Sequence, residues 1–120
     1  MPSDATTTLQ AIKDAIAQFT AQRDWQPFHT PKNLAMAVAS EAAELMAHFR
    51  WSDNDAEVLK DEVSAREIRR ELADVLMLLA ELANVAGIDM AEAVTEKMQI
   101  NAARYPIEKC RGTAKKYDRL

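Results

Sequence analysis

Two stretches of this chain, Leu34 to Ala47 (LAMAVASEAAELMA) and Leu72 to Ala83 (LADVLMLLAELA), are apolar almost all round at helical spacing and yet hold acids inside them. The first contains eleven apolar residues, one serine, and Glu41 and Glu44 at i,i+3 on one helix face. In the second, Asp74 follows Glu71 by the same interval. Helices apolar on more than one face are buried in a bundle or against another subunit. Carboxylates there are costly to desolvate unless a cation compensates them, and Arg69 and Arg70 beside Glu71 are the only cations close in sequence. A metal ion is the more economical partner. If the two helices pack antiparallel, the pairs can present four carboxylates to one point, an all-oxygen set suited to Mg²⁺ or Mn²⁺ rather than zinc or copper. Against this stands the plainer reading of solvent-facing acids on amphipathic helices. It suits Glu81, which has no i,i+3 acid partner and reads as surface.

The rest of the chain fits an all-α subunit. Twenty-two alanines stand against twelve Val and Ile, with only two glycines and four prolines. Leu9, Ile12, Ile16 and Phe19 give one apolar face to a helix from about Thr8 to Asp24. Pro27 and Pro31 break the chain, and a second helix runs from near Pro31 to about Trp51. Ser52 to Asp61 reads as a loop, and a third helix from about Val63 to Ala86 ends on Gly87. Asp89 caps a fourth helix that reaches Tyr105 before Pro106. Short links imply antiparallel neighbours, hence a four-helix subunit in one domain over residues 1–120, with 1–7 and about 108–120 as terminal extensions. Faces in excess of what one small bundle can bury call for an oligomer, a dimer of dimers.

Composition excludes several classes. With no apolar run near twenty residues, neither a transmembrane helix nor a signal peptide is expected, and the expected location is the cytoplasm. Cys110 is the single cysteine, read as a buried or bystander thiol that rules out an internal disulfide or a Cys-based zinc site. A net charge of −4 argues against a binder of nucleic-acid polymers. Between Lys109 and Arg119, however, five cations face one acid, a tail able to meet phosphates, although its default reading is a solvated, partly disordered terminus. A di-iron bundle needs two Glu-x-x-His pairs, and only His29 and His48 are present, with Glu44 to His48 at i,i+4. The methionines, Met36, Met46, Met77 and Met98 among them, read as adaptable core filler.

SEAAE at Ser40 to Glu44, followed after 26 residues by ELAD at Glu71 to Asp74, resembles the EExxE, spacer, ExxD signature of the MazG-like, all-α nucleotide pyrophosphohydrolases. RDWQPFHTPKNLA (Arg23 to Ala35), FRW ending at Trp51, KMQINAARYP (Lys97 to Pro106) and RGTAKKY (Arg111 to Tyr117) extend the likeness to the dCTP pyrophosphatase branch, over about residues 9 to 117. The resemblance implies Mg²⁺-dependent hydrolysis of a nucleoside triphosphate to monophosphate and pyrophosphate, with Glu41, Glu44, Glu71 and Asp74 as metal ligands and one acid of the first pair as proton acceptor. It also implies Trp25 and Trp51 as aromatics of the base pocket, Leu78 and His29 in its lining, and Asn101 as a contact to the base edge. Trp51 lies at i+7 from Glu44, on the stripe of the acids if that helix persists. Lys97, Arg104, Lys109, Arg111 and Lys115 are candidates for the phosphates. Three positions depart from the pattern: Ser40 stands for the first Glu of the signature, Ile16 for a histidine and Leu78 for an aromatic. A scaffold or partner-binding protein of the same fold, without activity, is the competing reading, and it differs in tolerating Glu41→Gln.

Overall fold

A computed structural model describes residues 1–120 and contains six α-helices, two 3-10 turns and no strand. The helices are α1 (Leu9–Gln22), α2 (Pro31–Ala47), α3 (Asp55–Lys60), α4 (Glu62–Ala86), α5 (Met90–Arg104) and α6 (Ile107–Cys110). None is long and apolar enough to cross a membrane. The four long segments expected from periodicity are α1, α2, α4 and α5. Their starts follow local chemistry: the side chains of Thr8, Thr30, Asp61 and Asp89 each accept a hydrogen bond from a first-turn backbone N–H, and Pro31 occupies a first-turn position where no donor is needed. Gly87, at φ 67°, closes α4 in the left-handed conformation that a side chain would disfavour.

Two boundaries differ from expectation. The segment read as a loop holds α3, because Asn54 caps it and Asp55 and Glu57 sit in its first turn, a favourable placement of acids at a helix start. And α2 stops at Ala47 rather than Trp51: residues 48–51 form turns, with backbone N–H groups of His48 and Phe49 bonding three residues back. The stripe that would have aligned Trp51 with Glu44 therefore ends one turn after the second acid.

The chain divides into two compact units, Met1–Ile88 and Asp89–Leu120. In the first, α4 is the hub on which α1, α2 and α3 pack. Leu34 from α2 and Ile68, Ala80 and Ala83 from α4 form its buried apolar centre. The small side chains of α4 let neighbouring backbones approach. Two polar ties fix α1 along α4: Lys13 Nζ donates to the Ile88 carbonyl at 2.8 Å, and Asn84 Nδ2 donates to the Lys13 carbonyl at 2.9 Å. In the second unit, Tyr117 packs edge-on to Tyr105 with centroids 6.1 Å apart, and the Arg104 guanidinium lies 4.8 Å from the Tyr117 ring. The basic tail meets α5 through these aromatic contacts, carries α6 and a 3-10 turn at Tyr117–Arg119, and is exposed throughout residues 111–120.

Within one chain, three of the methionines do not fill a core. Met36, Met46 and Met98 are each more than 60% exposed, because α2 and α5 bury only part of their apolar surface within one chain.

Candidate functional site

The paired acids come together because α2 and α4 share the most extensive helix interface of the chain. Glu41 and Glu44 from α2 and Glu71 from α4 each bring a carboxylate oxygen within 4.8 Å of the others. Asp74, one turn along α4, is exposed and borders a cavity together with Glu41. Burial pushes the Glu41 carboxyl above the ordinary carboxylate range, and the negative charges of Glu44, Asp74 and Glu71 raise it further, with Glu71 also able to accept a hydrogen bond from the protonated form. The two arginines nearest in sequence do not relieve this charge: Arg70 pairs with Glu67 at 3.3 Å, and no Lys or Arg bridges any of the four acids.

Two oxygens decide what the cluster is built for. Glu41 Oε2 and Glu71 Oε2 are shut away from solvent without a hydrogen-bond partner. A buried, unpaired carboxylate oxygen is expensive, and two from facing helices in a nest of like charges call for a shared cation. The donor set is carboxylate only, which suits a hard divalent ion that also takes water or phosphate oxygens. The residues present therefore fit Mg²⁺ or Mn²⁺.

The neighbouring cavity, of about 230 Å³, lies between α1, the turn after it, and α4. Ile16, Phe19 and Thr20 of α1 form one wall, and Met77, Leu78 and Glu81 of α4 the other, with Trp25 and His29 between. Trp25 is aimed there by the end of α1. Asp24 adopts φ 52°, a left-handed conformation that Asp tolerates better than most residues, and the Trp25 N–H returns to the Thr20 carbonyl at 3.2 Å. The indole then meets Phe19 edge-on at 5.8 Å and lies 6.1 Å from His29.

Glu81, expected at the surface, is 5% exposed. Thr20 Oγ1 donates to its Oε2 at 2.5 Å, and His29 Nδ1 lies 3.1 Å from the same oxygen. The reason for the error is distance along the chain: the donors that compensate this carboxylate are 61 and 52 residues away. A usable signal was present all the same. Glu81 follows Asp74 and Leu78 at i+7 and i+3, which places it on the same face as a proposed ligand and a proposed pocket residue.

Trp51 is 86% exposed, stacked under Arg50 at 4.7 Å, and is not a wall of the cavity. Lys97, Asn101 and Arg104 are exposed on α5, Lys109 on α6, and Arg111 and Lys115 on the tail. Ser40 is an exposed residue of α2, while Ile16 and Leu78 line the cavity.

Comparison with known proteins decides the family. The MazG-like family profile matches residues 36–120. This chain belongs to the MazG-like family. Among MazG-like relatives, it is 40% identical to dCTP pyrophosphatase 1 of Rattus norvegicus over 116 residues, covering 94% of this chain and 68% of that protein. The same identity and coverage hold for dCTP pyrophosphatase 1 of Homo sapiens. The structure also matches the crystal structure of a pyrophosphatase from Archaeoglobus fulgidus, with a TM-score of 0.76, 39% identity, and coverage of 82% of this chain and 92% of that one. The α2 and α4 acids that form this MazG-like chain's carboxylate cluster both fall inside the matched span.

Proposed function

We propose that this chain hydrolyses nucleoside triphosphates to monophosphate and pyrophosphate, acting on dCTP-like or modified deoxynucleotides, with Mg²⁺ or, in its place, Mn²⁺ held by Glu41, Glu44, Glu71 and Asp74. Membership of the MazG-like family, with relatives named pyrophosphatases, makes the chain a nucleotide pyrophosphohydrolase. The observation that carries the metal reading is the pair of buried oxygens, Glu41 Oε2 and Glu71 Oε2, left unpaired on facing helices. A divalent ion there would neutralise triphosphate charge and acidify a water. The chain's own acids would hold that ion where the phosphates bind, and one of the α2 pair would take the proton of the attacking water. The new bond joins that water's oxygen to the α-phosphorus, and the bond that breaks releases pyrophosphate.

Trp25, His29 and Leu78 would enclose the base. Trp51 and Asn101 are proposed as further base contacts, and Lys97, Arg104, Lys109, Arg111 and Lys115 as phosphate contacts. The exposed apolar side chains of Met36, Met46, Val63 and Leu72 on α2 and α4 support a homo-oligomer, proposed as a dimer of dimers of antiparallel four-helix subunits working in the cytoplasm. Each subunit would be one domain, with residues 1–7 and about 108–120 as extensions.

Pyrophosphate release from a panel of canonical and modified NTPs and dNTPs, with Mg²⁺ and with EDTA, tests the reading. Release from a few dNTPs that EDTA abolishes is expected. A folded protein that releases none from any nucleotide would be a scaffold of this fold instead.

A further inference from the structure

We infer that Glu81 is the residue that reads the base of the dCTP-like substrates proposed above: its free carboxylate oxygen accepts a hydrogen bond from the exocyclic amino group of the aminopyrimidine. This rests on the pyrophosphohydrolase reading and adds to it the group that selects the base.

The argument begins with which oxygen is used. Both hydrogen bonds to Glu81, from Thr20 and from His29, end on Oε2. Oε1 takes no partner from the protein, and it is not sealed from solvent as Glu41 Oε2 and Glu71 Oε2 are. Because Glu81 is buried and lines the cavity, the space open to Oε1 is the cavity itself. A carboxylate fixed by two donors on one oxygen is a preorganised acceptor on the other.

Position along α4 supplies the second observation. Asp74, Leu78 and Glu81 lie on one helix face, and seven residues at 1.5 Å each separate the acid end of the cavity from Glu81 by about 10 Å. With phosphate at the Asp74 end, the sugar-distal edge of a base points toward Glu81. On a pyrimidine that edge is position 4, opposite the glycosidic nitrogen. Cytosine offers an N–H donor there, and uracil or thymine offers a carbonyl oxygen that a carboxylate repels. A volume of about 230 Å³ is below the ~300–1,000 Å³ of pockets that enclose whole ligands, which suits one ring and not a complete nucleotide.

The test is kcat/KM for pyrophosphate release from dCTP, dUTP and the pyrimidin-2-one deoxynucleotide, which carries hydrogen at position 4, with Mg²⁺ present. Wild type is expected to favour dCTP over each of the others by about tenfold or more, and Glu81→Gln, whose amide can both donate and accept, to lower the dCTP:dUTP ratio by about tenfold. Thr20→Val, which loosens the network but keeps the carboxylate, should lower Tm while the preference for dCTP persists, a split that a merely structural role for Glu81 does not produce. Equal rates on dCTP and dUTP by the wild type, or an unchanged ratio in Glu81→Gln, overturn the inference and leave the hydrolase reading standing. If Glu81→Gln does not fold, the pyrimidin-2-one comparison on the wild type decides: hydrolysis as fast as that of dCTP overturns it. No release from any nucleotide by folded wild type overturns both.

Discussion

Two groups of carboxylates border the same cavity and are treated in opposite ways. At Glu81 the protein supplies its own donors, Thr20 and His29, and the charge is held within the fold. At Glu41, Glu44 and Glu71 it supplies none: two oxygens are buried without partners and the like charges crowd together. The contrast separates a carboxylate that the chain stabilises from carboxylates that wait for an external cation. Burial alone does not distinguish them, since one oxygen each of Glu41 and Glu71 is removed from water just as Glu81 is. The difference lies in who provides the compensating charge or hydrogen, and that is visible only when partners are counted atom by atom.

The largest test of the contrast is Glu71→Gln. It should cost on the order of 10²–10³-fold or more in pyrophosphate release, since it removes a ligand from the charge-stabilising centre, and should leave the metal-free Tm unchanged or higher because a repelling charge has gone. A metal-free Tm that falls steeply would mean that the cluster is compensated within the protein after all. Glu81→Leu should do the reverse for stability. It leaves Thr20 and His29 without an acceptor and costs about 1–3 kcal/mol in chemical denaturation, with or without Mg²⁺. A cost that vanishes on adding Mg²⁺ would place Glu81 in the metal cluster and dissolve the distinction.

The smallest effect is one of pH. The folded state holds the Glu41 proton more tightly than the unfolded chain does, because burial and the neighbouring negative charges raise its carboxyl above the ordinary 4.5. Its contribution is therefore fully present below 4.5 and is lost as pH rises through the higher folded value. Metal-free protein should lose stability over that interval, and saturating Mg²⁺ should flatten the slope. Asp61, lowered from 3.8 by the hydrogen bonds it accepts from Ser64 at the start of α4, contributes in the opposite sense. Its share is present above 3.8 and is lost as pH falls through the lower folded value. Melts between weakly acidic and neutral pH, with and without Mg²⁺, would show no Mg²⁺-sensitive slope if the acids were ordinary surface groups.

Much of this architecture is legible without coordinates. The helix starts near Thr8, Pro31 and Asp89 and the stop at Gly87 were readable because cap and first-turn preferences involve residues three or four apart, well within a local window. The ExxE and ExxD pairs were readable for the same reason. The end of α2 was not: the residues from His48 to Trp51 carry no strong breaker, so nothing local forbids the helix that the structure terminates. Exposed methionines were misread because periodicity reports that a face is apolar and says nothing of what covers it.

By itself, the sequence determined the helical class, the caps and the spacing that puts two acids on one face of each of two helices, since all of these follow from the repeat of the α-helix and from hydrogen bonds over a single turn. Only the tertiary structure decided which carboxylates are compensated. Glu81 finds its donors 61 and 52 residues away, and Glu41 Oε2 and Glu71 Oε2 find none, because desolvation depends on everything that closes around a charge in space, whatever its distance along the chain.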